Sequence, residues 1–546
     1  MTLGEELPVP SELRRGVVRL AANYGRMVTN IVLGLWTMRL LLQGLHNEGF
    51  GLVGLLGATV GIMSLVQQTV NQSLIREVGV AYHDKDPRVF RNAYNSALLL
   101  VALAAAVVLI IYALVVWVVL PWLQMSDAML PSARWFVIAL SVQSLLGLVL
   151  APVRNMYLIK EQMVAVNAWA TLDTARRTAA AVVVAAADVE PVRGLILFGA
   201  LSSGLSVLVQ LAAAGWAIHL DRRLIPHFGS ASRRGMRSIM SLGGWNAIML
   251  VAMDVHLHAG TFIMNLAFGA DFGSVIWHLG TRLTSYVRRV AMAAYQGIDA
   301  VTVRVEAEGG GDAVRRLLHD TTRFNGFAIV PCSVALFCLA EPCLYLLAAD
   351  RLEDPQTTLP ATVTLLRILT VAMACRGLSN GWFRVFYGAG HVRRYAPLVL
   401  VGAMANPLLA CALLWLLPHD LRYTCAAWGY LAGFALFNAG VAARAGARAA
   451  GASFLELWQP LLRPALSALI GAPILVMPML LLDEWHLWSL AAVGVAYFAA
   501  HVAVASRLVL NQPERQRFAQ AIRRLLRGEG RGRRTRRAAE PVDGAD

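Results

Sequence analysis

The sequence predicts an all-helical protein that crosses a membrane about fourteen times, and three observations support this fold class. Of the 546 residues, 58% are hydrophobic and only 15% are charged, whereas roughly 25% are charged in an ordinary soluble protein. The hydrophobic residues are gathered into runs long enough for a membrane-spanning helix, which needs about 20 residues. The basic residues are concentrated in alternate connections between these runs. This combination excludes a disordered chain and a water-soluble globule.

Fourteen apolar runs are found with a window of about 19 residues, and each is a predicted transmembrane helix. They lie at 20–43, 50–74, 94–122, 134–156, 164–187, 192–220, 238–267, 271–295, 322–349, 360–388, 395–417, 422–443, 462–482 and 486–508. We number them as spans one to fourteen in this order.

The distribution of basic residues tests this number, because a missed or extra helix would invert the charge bias from that point onward. With the N-terminal segment 1–19 inside, the predicted cytoplasmic connections before the tail, counted together with the outermost three residues of the adjoining spans, contain 23 basic residues and the external ones contain 4. The bias does not invert anywhere along the chain. Both termini are therefore expected in the cytoplasm.

The C-terminal tail, 509–546, is rich in arginine and contains an amphipathic pattern. Phe518, Ile522, Leu525 and Leu526 share one helical face, and arginines occupy the others. Such a segment can lie on an anionic membrane leaflet, and a merely solvated basic tail is the alternative. No nucleic-acid-binding module precedes it, so the net charge of +15 does not indicate a nucleic-acid partner.

A short internal repeat suggests two related halves, as in many transporters. After the first span the chain reads Glu-Gly-Phe-Gly at 48–51, with Thr59 eight residues beyond the last glycine. After the seventh span it reads Asp-Phe-Gly at 271–273, with Thr281 eight residues beyond. Each half is thus expected to join its first two helices by a very short external turn.

Three segments resemble the polysaccharide transporters, which are lipid-linked oligosaccharide flippases of the multidrug/oligosaccharidyl-lipid/polysaccharide (MOP) superfamily. The first is NYGRMVTNIVLGLWTMRLLLQGLHNEGFGLVGLLGATVGIMSLVQQTVNQSLIREV, where Arg39, Phe50, Gly51 and Arg76 occupy family positions. The second, RVEAEGGGDAVRRLLHDTTRF, is similar to the family's cytoplasmic amphipathic connector. The third is TLLRILTVAMACRGLSNGWFRVFYGAGHVRRY in the tenth span.

The resemblance implies two six-helix bundles that form an inverted V, as in the MATE exporters of the same superfamily, plus two C-terminal helices. The N-terminal bundle would comprise 20–220 and the C-terminal bundle 238–443, joined by a cytoplasmic linker at 221–237 and followed by spans at 462–508. It also implies a flippase in the bacterial cytoplasmic (inner) membrane. Its cargo would be a polyprenyl-diphosphate-linked oligosaccharide for O-antigen, capsule or exopolysaccharide, with a polysaccharide polymerase and glycosyltransferases as possible partners.

Ionisable side chains inside the predicted spans are candidate site residues, because each costs at least about 2.5 kcal/mol near the bilayer centre. A guanidinium offers paired donors that match phosphate and carboxylate, so embedded arginines favour an anionic cargo. The predicted cavity residues are Arg26, Asn30, Arg176, Arg177, His278, Arg282 and Arg376.

Two acidic positions leave alternatives open. Asp173 can pair with Arg176 or Arg177 at i+3 or i+4, which leaves one arginine for substrate or makes the group merely an intrahelical ion pair. Asp254 and His258 share a face, and His256 points away from it. They are expected either to couple a proton or sodium ion, a role that Asp173 could share, or to form a structural hydrogen-bonded pair.

The motifs that are missing from the sequence exclude several classes of function. No Gly-x-x-x-x-Gly-Lys loop for ATP and no HExxH motif occurs. We therefore expect no enzyme activity, no metal and no cofactor, with a proton or sodium gradient as the possible energy source. A lipid II flippase, a multidrug exporter and a membrane polysaccharide polymerase or glycosyltransferase remain as alternatives.

Overall fold

The computed structural model describes residues 10–82, 84, 86–160, 162–226, 236, 244–295, 298–482, 484–512 and 514–516. All regular elements within these residues are helical. The predicted amphipathic face of the tail, from Phe518 to Leu526, lies outside the described residues, as does most of the predicted linker.

The N-terminal half consists of six helices, α1 to α6. Helices α1 and α2 are two parts of one run, Pro10–Tyr82, which is broken at His46. The others are α3 (Pro87–Leu114, continued by turns to Trp122), α4 (Met129–Val149, followed by Ala151–Arg154 and Met156–Ile159), α5 (Met163–Ala187) and α6 (Pro191–Leu220).

The C-terminal half begins with α7 (Gly244–Phe268) and α8 (Ser274–Tyr295). The remaining helices are α9 (Ile298–Cys338, broken at Gly310 and followed by Ala340–Ala348), α10 (Pro355–Gly388), α11 (Val392–Leu416), α12 (Cys425–Ala432, continued by Gly433–Ala442 and Ala443–Ala449), α13 (Leu462–Gly471 and Pro473–Leu481) and α14 (Leu487–Leu508). Short helices at Arg222–Leu224, His419–Thr424, Phe454–Trp458 and Gln459–Leu461 lie in the connections.

The helices agree with the fourteen predicted spans. By length and composition, 10 helical runs of the described chain can cross a membrane, or 11 with the bent pair Val301–Cys338 and Ala340–Ala348. Two of these runs, Gly25–Gly61 and Ile248–Met292, contain two helices each. Helix α5 is not among them because it carries three charged residues, Asp173, Arg176 and Arg177.

Several helices extend beyond the predicted spans. Helix α1 begins at Pro10 rather than at 20, and the amphipathic connector before span nine is helical from Ile298. Hydropathy detects the part of a helix that is buried in lipid, and an amphipathic segment can continue the same helix beyond it. The connector breaks only at Gly310, whose φ of 63° favours glycine.

The buried hydrophobic residues reveal the two bundles. Among the described residues, one cluster lies wholly in the N-terminal half, from Leu74 to Leu224, and three others lie wholly in the C-terminal half, from Ala252 to Tyr497. A further cluster contains residues of both halves, including Phe50, Leu279 and Leu344. The bundles are therefore separate cores that share one apolar contact region.

The two predicted short turns meet each other in this contact region. The first is the break at His46 and the second is the turn Gly269–Gly273. A Cβ at Gly51 would collide with the carbonyl oxygen of Ala270. Because only glycine permits this approach, Gly51 sets how closely α2 can pack on the start of α8.

The last two helices are attached to the C-terminal bundle through α9. The ring of His501 in α14 lies 3.2 Å from Ser467 Oγ in α13 and 3.3 Å from the Phe327 carbonyl oxygen in α9. Beyond α14, Glu514 accepts a 2.6 Å hydrogen bond from the buried Arg323. These contacts fix both helices and the start of the tail to α9.

At the predicted cytoplasmic end of the N-terminal bundle, one carboxylate joins two connections. Asp221, which follows α6, pairs with Lys160 at 2.8 Å and with Arg223 at 2.9 Å. Burial alone would raise the pKa of Asp221, but the hydrogen bonds from Arg223 and Lys160 outweigh it and hold the pKa below its usual range. The charged pair thus ties the α4–α5 connection to the end of α6.

We expect Gly51→Ala to lower the free energy of unfolding by about 1–3 kcal/mol, because the new methyl group overpacks against backbone that cannot yield. Thermal unfolding of the purified protein measures the change. Gly57→Ala on the same helix is the matched control, since a Cβ there meets nothing within 4 Å. Equal melting temperatures for the two variants would contradict the close approach.

Candidate functional site: an arginine cluster between the bundles

Four arginines from both halves come together between the bundles, and we call them the central arginine cluster. Arg26 lies on α1, Arg177 on α5, and Arg282 and Arg289 on α8. Arg282 and Arg289 are both close enough to Arg177 for their like charges to act on it. Arg26 and Arg282 act on Arg289 in the same way. Arg177 and Arg282, both predicted cavity residues, thus face each other, and the predicted Arg26 faces Arg289, which was not predicted.

None of the four guanidinium groups forms an ion pair within the described chain. Among the described residues, Asp173 is the one carboxylate whose charge acts on Arg177, and its hydrogen bond goes to a different arginine. Two like charges about 8 Å apart repel by about 2 kcal/mol at an effective dielectric constant of about 20. The cluster therefore carries an uncompensated positive charge that an anionic ligand would neutralise.

Helix α5 carries two neighbouring arginines with different surroundings. Arg176 Nε donates to Asp173 Oδ1 at 2.8 Å, and its Nη1 donates to the Ser202 carbonyl oxygen in α6. Its side chain is only 5% exposed, so it is not available to a ligand. Arg177 is exposed although protein surrounds it, as expected for a side chain in an internal cavity.

Helix α8 supplies the other side of the cluster. Trp277, Leu279 and Leu283 are buried, while Arg282 and Arg289, seven residues apart, share the half-buried face. The guanidinium of Arg289 lies 5.4 Å from the ring centroid of Tyr286, which limits its movement. The apolar face of the helix thus holds both arginines towards the N-terminal bundle.

The other predicted residue of α1 adds a polar atom near the cluster. Asn30 lies one helical turn from Arg26, and its Oδ1 is buried with no hydrogen-bond partner in the described chain. A buried amide oxygen without a partner is costly. Asn30 can therefore accept a hydrogen bond from a ligand or water in this space.

His278 lies outside the cluster, in the contact between α2 and α8. Its ring centroid is 5.0 Å from that of Phe50, and a Cβ at Gly54 would lie 2.5 Å from the ring. The charge of Arg282 acts on it across one helical turn. The histidine thus packs where the bundles touch, and we do not assign it to the ligand.

Arg376 also lies outside the cluster, inside the C-terminal bundle. It is 3% exposed, donates a 2.9 Å hydrogen bond to the Tyr430 hydroxyl, and lies 5.3 Å from the Phe434 ring centroid. The neighbouring charge is Arg288 of α8. Depth in the membrane, which suggested this residue, does not reveal which side of its helix faces the cavity.

The arrangement of Asp254, His256 and His258 on α7 confirms the predicted faces. Asp254 Oδ1 lies 3.6 Å from His258 Nε2, which is beyond a good hydrogen bond. His256 points to α11, where its Nδ1 lies 3.4 Å from Asn406 Nδ2. His258 packs against Gly61 of α2, so the acid and its histidine lie beside the bundle contact.

A second set of contacts, which we call the latch, joins the bundles at the end that carries the His46 turn. Arg39 of α1 donates to the Leu346 carbonyl oxygen at 2.9 Å and to Asp350 at 2.6 Å. His46 lies 3.4 Å from Glu353. A cavity of about 540 Å³ lies beside Arg39.

A neutral pair completes the latch and was not found from the sequence. Asn265 of α7 accepts from the Gln124 backbone N–H at 3.0 Å and donates to the Gln124 carbonyl oxygen at 2.9 Å. The Gln124 side chain donates to the Leu266 carbonyl oxygen. A lone asparagine in an apolar span was the available signal, but its partner is far away in sequence.

The two ends of the interface thus differ in their electrostatics. Within the described residues, all hydrogen bonds and ion pairs between the bundles belong to the latch. Further along α1 and α8, arginines of like charge face each other. The bundles are thus held together at the latch and repel at the cluster.

Neither a protein-family model nor a curated protein sequence matches the chain. Solved structures do match its fold. The lipid II flippase MurJ, in an inward closed conformation, has a TM-score of 0.64 and 11% identity over 90% of this chain and 100% of that one. An inward-facing MATE-family multidrug transporter of the MOP superfamily has a TM-score of 0.63 and 16% identity over 81% of this chain and 99% of that one. An outward-facing structure of a MATE-family multidrug transporter has a TM-score of 0.59 and 14% identity over 81% of this chain and 96% of that one.

These likenesses concern the fold. They confirm the predicted all-helical class with two six-helix bundles and additional C-terminal helices.

We expect opposite effects on stability from two arginine variants. Arg176→Gln removes a charged hydrogen bond to Asp173 and one to the Ser202 carbonyl, and should lower the free energy of unfolding by about 1–3 kcal/mol. Arg282→Gln relieves like-charge repulsion and should leave the melting temperature unchanged or raise it. Thermal unfolding of the purified variants without ligand makes the comparison. An equal loss in both would mean that Arg282 has a structural role.

Proposed function

We propose that this protein is a flippase that moves a polyprenyl-diphosphate-linked oligosaccharide across the bacterial cytoplasmic membrane for the synthesis of a surface polysaccharide. The observation that carries the proposal is the central arginine cluster, in which four unpaired guanidinium groups from both bundles face one another. O-antigen, capsule and exopolysaccharide are the glycans that such a lipid carrier would serve, with a polymerase and glycosyltransferases as partners.

A diphosphate fits the cluster chemically. Each guanidinium can donate two parallel hydrogen bonds to phosphate oxygens and stays charged when water is removed. The polyprenyl chain can remain in the bilayer while the charged head group enters between the bundles. Arg26, Arg177, Arg282 and Arg289 are the proposed contacts, and Asn30 is a further acceptor.

The same charges supply a mechanism of alternating access. A bound diphosphate neutralises the repulsion between Arg177 and the arginines of α8, so the bundles can approach at the arginine end. Separation of Arg39 from Asp350 would then open the latch end. The cargo is thus the counter-ion that permits the change between the two states.

Orientation and energy source complete the proposal. The arginine-rich connections support a cytoplasmic location for both termini and an external location for the latch, and the basic tail would lie on the anionic inner leaflet. A proton or sodium gradient is the proposed energy source. Asp254, His258 and Asp173 are the groups proposed to respond to it.

A lipid II flippase of peptidoglycan synthesis is the second candidate. The MurJ structure matches 90% of this chain, whereas the inward-facing and outward-facing MATE structures each match 81%. Lipid II is also a polyprenyl diphosphate and would use the same cluster. The identity of the accumulating glycan separates the two candidates.

The first test measures which side of the membrane holds the lipid-linked sugar in a strain that lacks the protein. We expect the cytoplasmic lipid-linked unit to accumulate while the surface glycan is lost. Protease- and enzyme-accessible labelling of right-side-out vesicles measures the exposure of the sugar. Normal external exposure of an unpolymerised unit would contradict the flippase and support a polymerase.

The second test removes single charges from the cluster. Arg177→Gln and Arg282→Gln should each reduce export at least about 100-fold if the diphosphate loses a charged contact worth about 3 kcal/mol. Surface glycan is measured at equal protein level in the membrane. Arg315→Gln, which removes a surface pair with Glu456, should export normally. Normal export in both cluster variants would refute the assignment.

A further inference from the structure

A separate polar cavity lies inside the N-terminal bundle, between α4, α5 and α6. Its volume is about 300 Å³, which is at the lower end for a small-molecule site. The polar and aromatic residues of its wall are Arg154, Asn155, Tyr157, Trp169, Asp173 and Gln210. No function predicted from the sequence used this cavity, because its walls come from connections and helix ends as well as from spans.

The polar groups of the cavity are held in fixed orientations. Gln210 is buried, and its Nε2 donates to the Gln143 carbonyl oxygen at 3.1 Å and lies 3.0 Å from Ser206 Oγ. Its amide oxygen therefore turns towards Arg154, whose Nη1 lies 3.5 Å away. This long contact leaves most of the donor capacity of Arg154 unused.

A carboxylate lies opposite this guanidinium. The charge of Asp173 acts on Arg154, but the two groups form no ion pair within the described chain. Asp173 already accepts a hydrogen bond from Arg176 at one oxygen, and its side chain is 44% exposed. The cavity thus presents a strong donor and a strong acceptor that are near each other but not joined.

Aromatic side chains form the remaining wall. Trp169 is half-buried beside Tyr157, whose hydroxyl donates a 2.7 Å hydrogen bond to the Ala213 carbonyl oxygen. With its hydroxyl occupied, the tyrosine ring is a fixed surface. Planar aromatic faces next to charged and amide groups complement a sugar ring, which has an apolar C–H face and hydroxyls that both donate and accept.

The cavity adjoins the central arginine cluster. Asp173 and Arg177 lie four residues apart on α5, so their Cβ atoms are about 5–6 Å apart on one helix face. Asp173 lines the cavity, and Arg177 faces Arg282 and Arg289. A phosphate at Arg177 would therefore place a sugar bonded to that phosphate at the cavity.

From this juxtaposition we infer that the cavity is a sugar subsite that holds the first residue of the glycan, the one linked directly to the diphosphate. The inference rests on the proposed function and deepens it, because the subsite makes the protein selective for a glycosylated lipid. Trp169 would stack on the ring, and Arg154, Asp173 and Gln210 would bind its hydroxyls. The remainder of the glycan would lie outside a cavity of this size.

The test compares lipids that differ only in the sugar. The purified full-length protein is titrated with undecaprenyl diphosphate and with the same lipid carrying glucose, galactose or N-acetylglucosamine. We expect the best sugar-linked lipid to bind about 10-fold or more tightly than the bare lipid, a gain of about 1.4 kcal/mol. Trp169→Ala and Gln210→Ala should each abolish this ratio while the bare lipid binds as before.

Controls separate the subsite from loss of folding. Trp216→Ala removes an exposed tryptophan of α6 and should preserve the ratio, and Trp169→Phe, which keeps an aromatic face, should retain part of it. A ratio near one in the unmodified protein, or one that survives both Trp169→Ala and Gln210→Ala, overturns the subsite but leaves the flippase proposal intact. If neither lipid binds, the proposed function fails as well.

Discussion

A guanidinium placed within a membrane needs an anion or water beside it, and the structure depends on how each embedded arginine meets this requirement. Several are neutralised by acids of the chain itself, and these are the arginines that hold helices together. The neutralised pairs are Arg39 with Asp350, Arg176 with Asp173, Arg323 with Glu514 and Arg384 with Asp299. The four arginines of the cluster have no such acid among the described residues and lie where the two bundles face each other. Arg376 also lacks an acid, but it lies inside the C-terminal bundle and donates to the Tyr430 hydroxyl. Pairing together with the direction that the side chain faces, rather than depth in the membrane, therefore distinguishes structural arginines from candidate binding arginines.

The same difference in pairing makes the interface between the bundles attractive at the latch and repulsive at the cluster. At the latch, Arg39 meets an acid and a backbone carbonyl, and Asn265 meets both backbone groups of Gln124, so contact is favourable without any ligand. At the cluster, contact brings like charges together. Beside the latch, Gly51 and Gly54 let α2 approach the start of α8 closely. A close apolar contact of this kind is suited to rocking motion, because it can act as the pivot.

Most of the fold follows from the sequence, whereas the site follows only in part. Hydropathy and arginine placement predict the spans, and helical periodicity predicts that Asp254 faces His258 and that Asp173 pairs with a neighbouring arginine. The choice of Arg176 over Arg177 depends on the Ser202 carbonyl of another helix, which periodicity within α5 cannot reveal. The partners of Arg39 and Asn265 are likewise distant in sequence. Local patterns determine which residues share a face, but not what that face contacts.

Under the proposed function, the uncompensated cluster would also set the direction of coupling between the cargo and the conformation. Without an anion, repulsion opposes approach at the arginine end, so the empty protein rests with the latch closed, as the structure has it. An anionic head group removes this repulsion and adds its own attraction to both bundles, which shifts the equilibrium by its differential affinity for the two states. Opening the latch then costs the contacts of Arg39 and Asn265, which the closed cluster must offset. A gradient acting at Asp254 and His258, beside the pivot, would change this balance without touching the cargo.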